Sequence, residues 1–280
     1  MNIGIVGLGL IGGCLGLDFK ALGYQVHGIG RREETCAAAV QRHIVDTAST
    51  DIATLQACNV VFICTPIATI VPMVEQLASV LAPGTVLTEV GSVKAAIVDT
   101  ATQLWPQFVG GHPMSGKSEA GLDAAEAGIF QQRPYVITPL AHTDPTAVDR
   151  IEQLASALGS HLYCCSPEAH DRAVAWISHL PVMVSSSLIV SVLQEADPEI
   201  LALAQHLASS GFRDTSRVGG GNPELGLMMA QYNRAEVLRS LKQYQAAIAQ
   251  TIAQIESQDW PALSQQLETT KAGRSHFVIE

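Results

Sequence analysis

Apolar and polar positions along the chain follow one rhythm up to about residue 165 and another beyond it. In the first part, short apolar runs at 2–6, 24–29, 60–64, 85–88, 108–110 and 135–138 alternate with helical spacing at 68–81, 93–104 and 145–158. A further short apolar stretch lies at 161–164. Runs of this length suit strands buried on both faces, and strands alternating with helices build a doubly wound, mainly parallel sheet. After about residue 166 the strand signals stop. Helical spacing then covers roughly 167–196, 198–209, 223–257 and 260–272. Ser166-Pro167 reads as an N-cap followed by a first-turn proline, which divides an α/β domain at 1–165 from an all-α domain at 166–280. Helices this long and apolar bury a face against something, and a second copy of the chain is the expected partner.

The first run ends in Gly7-Leu8-Gly9-Leu10-Ile11-Gly12. G-x-G-x-x-G directly after a strand and before an apolar helix pattern is the dinucleotide fingerprint of a Rossmann-type domain. Gly7 permits the tight turn, Gly9 lets the backbone approach a pyrophosphate, and Gly12 lets the helix pack close to the strand. Leu10 and Ile11 open the helix, whose first N–H groups face the phosphates. The run at 24–29 continues into Gly30-Arg31-Arg32, with no acid before Glu33. NAD-binding versions place an acid here for the ribose hydroxyls. Gly30 instead leaves room for a 2′-phosphate, and Arg31 and Arg32 can clamp one. The chain has only 16 Lys and Arg in 280 residues. Two adjacent guanidiniums at this position therefore point to NADP rather than to solvated loop charges.

A net charge of −10 argues against nucleic acid or an anionic membrane surface as partner. Six cysteines without C-x-x-C spacing fit a cytoplasmic or equivalent reducing compartment. The apolar N-terminus lacks the basic region of a signal peptide, and its glycine spacing explains it better. Residues 177–193 carry no acidic or basic side chain except His179, yet Pro181 and several serines favour a buried helix over a membrane span.

Ligands of open α/β sheets sit outside the carboxyl ends of the strands. That rule selects Cys64-Thr65-Pro66, the segment from Glu89 to Lys94, and Gly111-His112-Pro113-Met114. His112 is expected on a bent, little-covered strand end. There a neutral imidazole can take a proton from a substrate hydroxyl while hydride leaves for a nicotinamide. Ser92 can bond that imidazole or a substrate group, or cap the helix beginning at Val93. Arg217, in a polar break between helices, suits a carboxylate clamp, whereas Arg213 reads as a helix-end charge near Asp214. His179 reads as a core histidine. His170 with Cys164 and Cys165 lacks a fourth ligand at sensible spacing, so no metal is expected.

Together these segments resemble the prephenate/arogenate dehydrogenases of tyrosine biosynthesis. The resemblance runs along nearly the whole chain. It rests on Gly7 to Gly12, Val90-Gly91-Ser92-Val93-Lys94, Gly111-His112-Pro113-Met114-x-Gly116, Gly128-Ile129-Phe130, Ser178-His179-Leu180-Pro181, and Phe212-Arg213-Asp214 leading to Arg217. It implies oxidative decarboxylation of a cyclohexadienol: hydride leaves ring C4, carbon dioxide leaves C1, and the ring becomes aromatic. His112 would then polarise or deprotonate the C4 hydroxyl, Ser92 would orient His112, and Arg217 would hold a substrate carboxylate. His179 would lie near the pocket, and Thr65, Pro66, Ser92 and Met114 would join the glycine loop around NADP.

Two departures bear on the substrate. Many prephenate-using relatives carry a second histidine three residues after the first, where this chain has Val182. Relatives also often carry Asp-Pro-x-Met-Trp where this chain has Asn222-Pro223-Glu224-Leu225-Gly226. A site without the extra imidazole suits the ammonium of arogenate better than the pyruvyl group of prephenate. The expectation is an NADP-dependent arogenate dehydrogenase acting as a homodimer. The alternatives are a prephenate dehydrogenase using NAD or NADP, and a non-catalytic NADPH-sensing protein. A β-hydroxyacid dehydrogenase with a helical-domain lysine as acid is disfavoured, because no lysine occurs there before Lys242.

Overall fold

The computed structural model describes residues 1–117 and 119–277. Eight strands form one sheet: β1 (Asn2–Val6), β2 (Gln25–Ile29), β3 (Thr47–Ser49), β4 (Val60–Ile63), β5 (Val86–Glu89), β6 (Phe108–Pro113), β7 (Pro134–Thr138) and β8 (His161–Cys164). Their spatial order is β3-β2-β1-β4-β5-β6-β7-β8. The first six run parallel; β7 is antiparallel to β6, and β8 is parallel to β7. Five helices cover the sheet: α1 (Leu10–Ala21), α2 (Glu33–Gln41), α3 (Ile67–Ala78), α4 (Ala95–Leu104) and α5 (Pro145–Ala157).

Successive strand residues point to opposite faces, so each central strand feeds two cores. Ile3, Ile5, Val60 and Phe62 pack on Leu15 and Phe19 of α1 and on Ile151 and Leu154 of α5. Val6, Val61, Ile63 and Leu87 pack on Ile70, Val74 and Leu77 of α3 and on Ile97 and Val98 of α4. This is the doubly wound sheet that the alternating pattern predicts. The spacing did not reveal α2 or β3. The helix over Glu33–Gln41 is short and mixed in polarity, burying only Cys36 and Ala39, and the three-residue strand has no buried position.

Beyond residue 166 the fold is helical: α6 (Pro167–Val174), a π-helical turn at Ala175–His179, α7 (Leu180–Leu193), α8 (Pro198–Leu207), α9 (Ser210–Ser216), α10 (Pro223–Tyr232), α11 (Arg234–Glu256) and α12 (Trp260–Arg274). Ser166 caps α6 as its sequence suggests, accepting from the Ala169 N–H at 3.2 Å. Pro181 has no N–H for the carbonyl four residues earlier, which accounts for the wider turn just before it. The helical pattern over 223–257 is broken at Asn233, whose side chain bonds the Asp171 carbonyl and His179 instead. Residues 210–216, expected as a polar break, form α9, a short helix with no buried residue.

Residues 177–193 also differ from expectation. The continuous helical stretch Pro167–Leu193 is long and apolar enough to cross a membrane, and only 28% of its most apolar window is buried within the chain. Ile177, Val190 and Leu193 stay exposed, as do Ile200, Leu203 and Leu207 of α8. The periodic pattern reported a face that packs, and this face lies on the outside of a single chain.

The β1–α1 turn separates the tasks of its glycines. Gly7 has φ +102°, and a Cβ there would stand 2.5 Å from the Cys64 carbonyl oxygen. A Cβ on Gly12 would overlap the Gly7 carbonyl oxygen, whereas one on Gly9 would meet nothing within 4 Å. Gly12→Ala is therefore expected to cost about 1–3 kcal/mol of stability and so lower the thermal midpoint, because α1 must lift from β1. Gly9→Ala should leave the midpoint unchanged and weaken dinucleotide binding. Thermal unfolding of both variants, with and without cofactor, measures the contrast.

Candidate active site

A cleft of about 870 Å³ opens above β1, β2 and β4, lined by Gly7, Gly9, Gly30, Arg31, Arg32, Thr65 and Pro66 among others. Gly9 is the N-cap residue of α1 and offers no side-chain cap, so the N–H groups of the first turn at Leu10 and Ile11 are left for an anion. The open space at Gly9 and the buried, unpartnered Thr65 hydroxyl fit a bound dinucleotide. Arg31 and Arg32 are exposed. The Glu33 carboxylate is turned away to accept from the Thr50 hydroxyl at 2.7 Å. Glu34 and Asp123 also line the cleft. Gly30 has a packing reason as well, since a Cβ there would stand 2.8 Å from the Cys36 sulfur. Met114 follows β6, half-buried, and does not line this cleft.

The chemistry-bearing groups gather at the carboxyl ends of β5 and β6. Glu89 ends β5 and is fully buried against Lys94. Its carboxylate also accepts from the Gly91 N–H at 2.7 Å and the Gly111 N–H at 3.2 Å. Lys94 Nζ donates to Glu89 and, at 2.6 Å, to the Gly111 carbonyl. Burial pushes Glu89 up and Lys94 down from their ordinary pKa values, each resisted by the opposite charge of the other. The pair ties the end of β5 to the residue before His112.

His112 does not stand on a bare strand end. It lies within β6, opposite Val136 of β7, and is only 8% exposed. Its Nδ1 is 2.8 Å from His170 Nε2, with the rings edge to face, and His170 Nδ1 is 2.8 Å from Asp171 Oδ1. Burial, then the Lys94 cation and the neighbouring His170 and His179, hold the His112 pKa well below the usual histidine range. Asp171 reaches across from α6 to cap α4, accepting from the Lys94 N–H at 2.7 Å and the Ala95 N–H at 2.9 Å.

That cap corrects one role open to Ser92. The helix starts at Ala95 rather than Val93, with Lys94 as its N-cap residue and Asp171 supplying the carboxylate that accepts its first N–H groups. The Ser92 hydroxyl is buried and has no partner among the described residues, His112 included. His179 Nδ1 meets the Asn233 amide at 3.1 Å, and its ring also bonds the Ser92 backbone. Burial pushes its pKa down to about 4. Arg217 follows α9, exposed and without an ion pair among the described residues, while Arg213 pairs with Asp214 at 3.0 Å. The Gly219 N–H donates to Ser185 of α7 at 2.8 Å and fixes the loop after Arg217.

Spacing along the chain selects Glu89 only as part of the segment after β5 and assigns no site role to Asn233, His170 or Asp171. The adjacent His-Asp pair four residues into a capped helix was the available signal.

A family model described as "Prephenate dehydrogenase, nucleotide-binding domain" matches residues 15–164, and one described as "Prephenate dehydrogenase, dimerization domain" matches 166–269. The chain belongs to the prephenate/arogenate dehydrogenase family. Prephenate dehydrogenase of Bacillus subtilis is 32% identical over 282 residues, covering 98% of this chain and 76% of that protein. The crystal structure of Synechocystis arogenate dehydrogenase is 49% identical with a TM-score of 0.89, covering 99% of this chain and 100% of that one. Prephenate dehydrogenase from A. aeolicus, solved with hydroxyphenyl propionate and NAD+, is 23% identical with a TM-score of 0.94 over 99% and 98% of the two chains. That last likeness shows the fold. In this dehydrogenase the buried Glu89–Lys94 pair supports the segment that carries His112. Lys94→Met strands the Glu89 carboxylate and should cost about 3–5 kcal/mol of stability in chemical denaturation, far more than loss of an exposed pair.

Proposed function

We propose that this dehydrogenase catalyses the NADP-dependent oxidative decarboxylation of arogenate to tyrosine. The observation that carries the substrate is the 49% identity with Synechocystis arogenate dehydrogenase along essentially the whole of both chains. Local chemistry agrees. Val182 of α7 faces Gly226 of α10, where a Cβ would stand 3.6 Å from the valine methyl. The two departures from the prephenate-using pattern are thus neighbours, and together they make that corner of the site small and uncharged. The preference for NADP rests on Arg31 and Arg32 at the cleft mouth.

When bound, NADP supplies the hydride acceptor. His112 receives the proton of the C4 hydroxyl on Nε2, its Nδ1 being engaged by His170. Its depressed pKa keeps it neutral, and so able to accept, at neutral pH. The unpartnered Ser92 hydroxyl is left to bond the substrate, which replaces the water this oxygen loses on burial, and His179 stands beside it. Arg217 holds a substrate carboxylate. The exposed apolar faces of α7 and α8, in the region matched by the dimerization model, support a homodimer. Six unpaired cysteines agree with a reducing, cytoplasmic setting.

A second reading, prephenate as substrate, is favoured by the relative from Bacillus subtilis. Steady-state assays with both substrates and both cofactors decide between them. Arogenate with NADP should give the highest kcat/KM. Better turnover of prephenate would reverse the substrate assignment, and no turnover of either would support a cofactor-sensing protein instead. Replacing Arg31 and Arg32 together by Ala should raise the KM for NADP far more than that for NAD. His112→Asn should lower kcat by about 10²–10⁴ while cofactor binding survives. In the parent enzyme the acid limb of kcat/KM should lie below the ordinary histidine pKa of about 6.5, because protonation of His112 is disfavoured by burial.

A further inference from the structure

Behind His112, on the side away from its free Nε2, a histidine and a carboxylate stand in line. His112, His170 and Asp171 are 8%, 2% and 3% exposed, and the two links between them are each 2.8 Å. The proton positions follow from the far end. Asp171 Oδ1 accepts the Lys94 N–H and Oδ2 accepts the Ala95 N–H. Both oxygens thus face N–H donors, and the carboxylate has only lone pairs to offer His170. His170 Nδ1 is therefore the donor in that link. A neutral His170 then presents a bare Nε2, so His112 Nδ1 must donate in the next link. The remaining nitrogen of His112, Nε2, carries a lone pair and no hydrogen.

We propose that His170 and Asp171 are positioning residues that lock His112 in the tautomer able to accept the substrate proton and then hold that proton during the reaction. The proposal rests on the reading that His112 takes the proton of the C4 hydroxyl. As hydride leaves C4 for NADP, the substrate O–H bond breaks and a His112 Nε2–H bond forms, leaving the ring oxygen as a carbonyl. The His112 Nδ1–H bond then breaks as a His170 Nε2–H bond forms, and the charge comes to rest on His170 against Asp171. Loss of carbon dioxide returns an electron pair through the ring to that oxygen. The proton travels back along the same two nitrogens to give the phenol, so none is consumed or released.

Lys94, Glu89, His179 and Cys165 are the other titratable groups around the line. Each Lys94, His170 or His179 cation beside His112 disfavours a second charge there.

Nitrogen NMR of ¹⁵N-histidine-labelled parent enzyme, saturated with NADP at neutral pH, reads the tautomer directly. The His112 signals, assigned by their loss in His112→Asn, should show Nδ1 protonated and Nε2 bare. A hydrogen on Nε2 overturns the proposal. In kinetics, His170→Leu removes the acceptor and should lower kcat about 10²-fold or more while the KM for substrate and the NADP affinity hold. His170→Gln keeps an acceptor oxygen within reach of His112 Nδ1 and should recover part of the loss. Parent-like kcat and pH profile in His170→Leu would overturn the relay. Should that variant not fold, the NMR measurement on the parent enzyme decides alone. An enzyme that turned over neither substrate would refute the proposed function, and the NMR result would still report on the tautomer.

Discussion

The N-terminus of α4 has no side-chain cap of its own, and the carboxylate that fills this role comes from Asp171, 77 residues further along the chain and in the other domain. The first N–H groups of a helix have no intrahelical partner, and burying them unpaired costs roughly 1–3 kcal/mol each. Asp171 satisfies two of them and sits at the positive end of the helix dipole. One bond set thereby holds α6 against α4 and places His170 behind His112. Asn233 then reads the Asp171 carbonyl and His179 together, so that α11 is drawn into the same network.

The sheet supplies the other half of the arrangement. Parallel strands end together on one edge, and the polar residues at those ends have no strand neighbour beyond them. Glu89 and Lys94 meet there with no exposure to water, a costly placement unless each charge is paired and further bonded. Both conditions hold, since the backbone of Gly91 and Gly111 completes the set. The result is a rigid, dry floor on which a neutral imidazole is more stable than a charged one. Several buried polar atoms around this floor, on Thr88, Ser92 and Tyr135, lack a hydrogen-bond partner among the described residues, and that of Ser92 is left for a ligand.

Much of the fold was legible because it depends on spacing. Buried strands at 2–6 and 60–64 and the helices between them announce themselves through runs and periods, and the glycine loop through φ and close packing. The weaker elements α2 and β3 bury too little to leave a pattern. The break at Asn233 was hidden because helical spacing continues across it, and the interruption comes from a tertiary bond. In the site, His112 was legible from its place after a strand, but its surroundings were not: the covering comes from β7, His170 and Asp171, which lie well beyond it in sequence.

The amino-acid sequence by itself determined the doubly wound sheet, the dinucleotide loop, the helical second half and the family, because each is written in local periods or contiguous motifs. Only the tertiary structure decided which partner His112 has. Ser92 was the nearer candidate in the chain, yet Asp171 takes the helix cap and brings His170 to the imidazole. Hydrogen bonds between residues 58 positions apart have no signature in spacing, since their geometry exists only once two domains have docked.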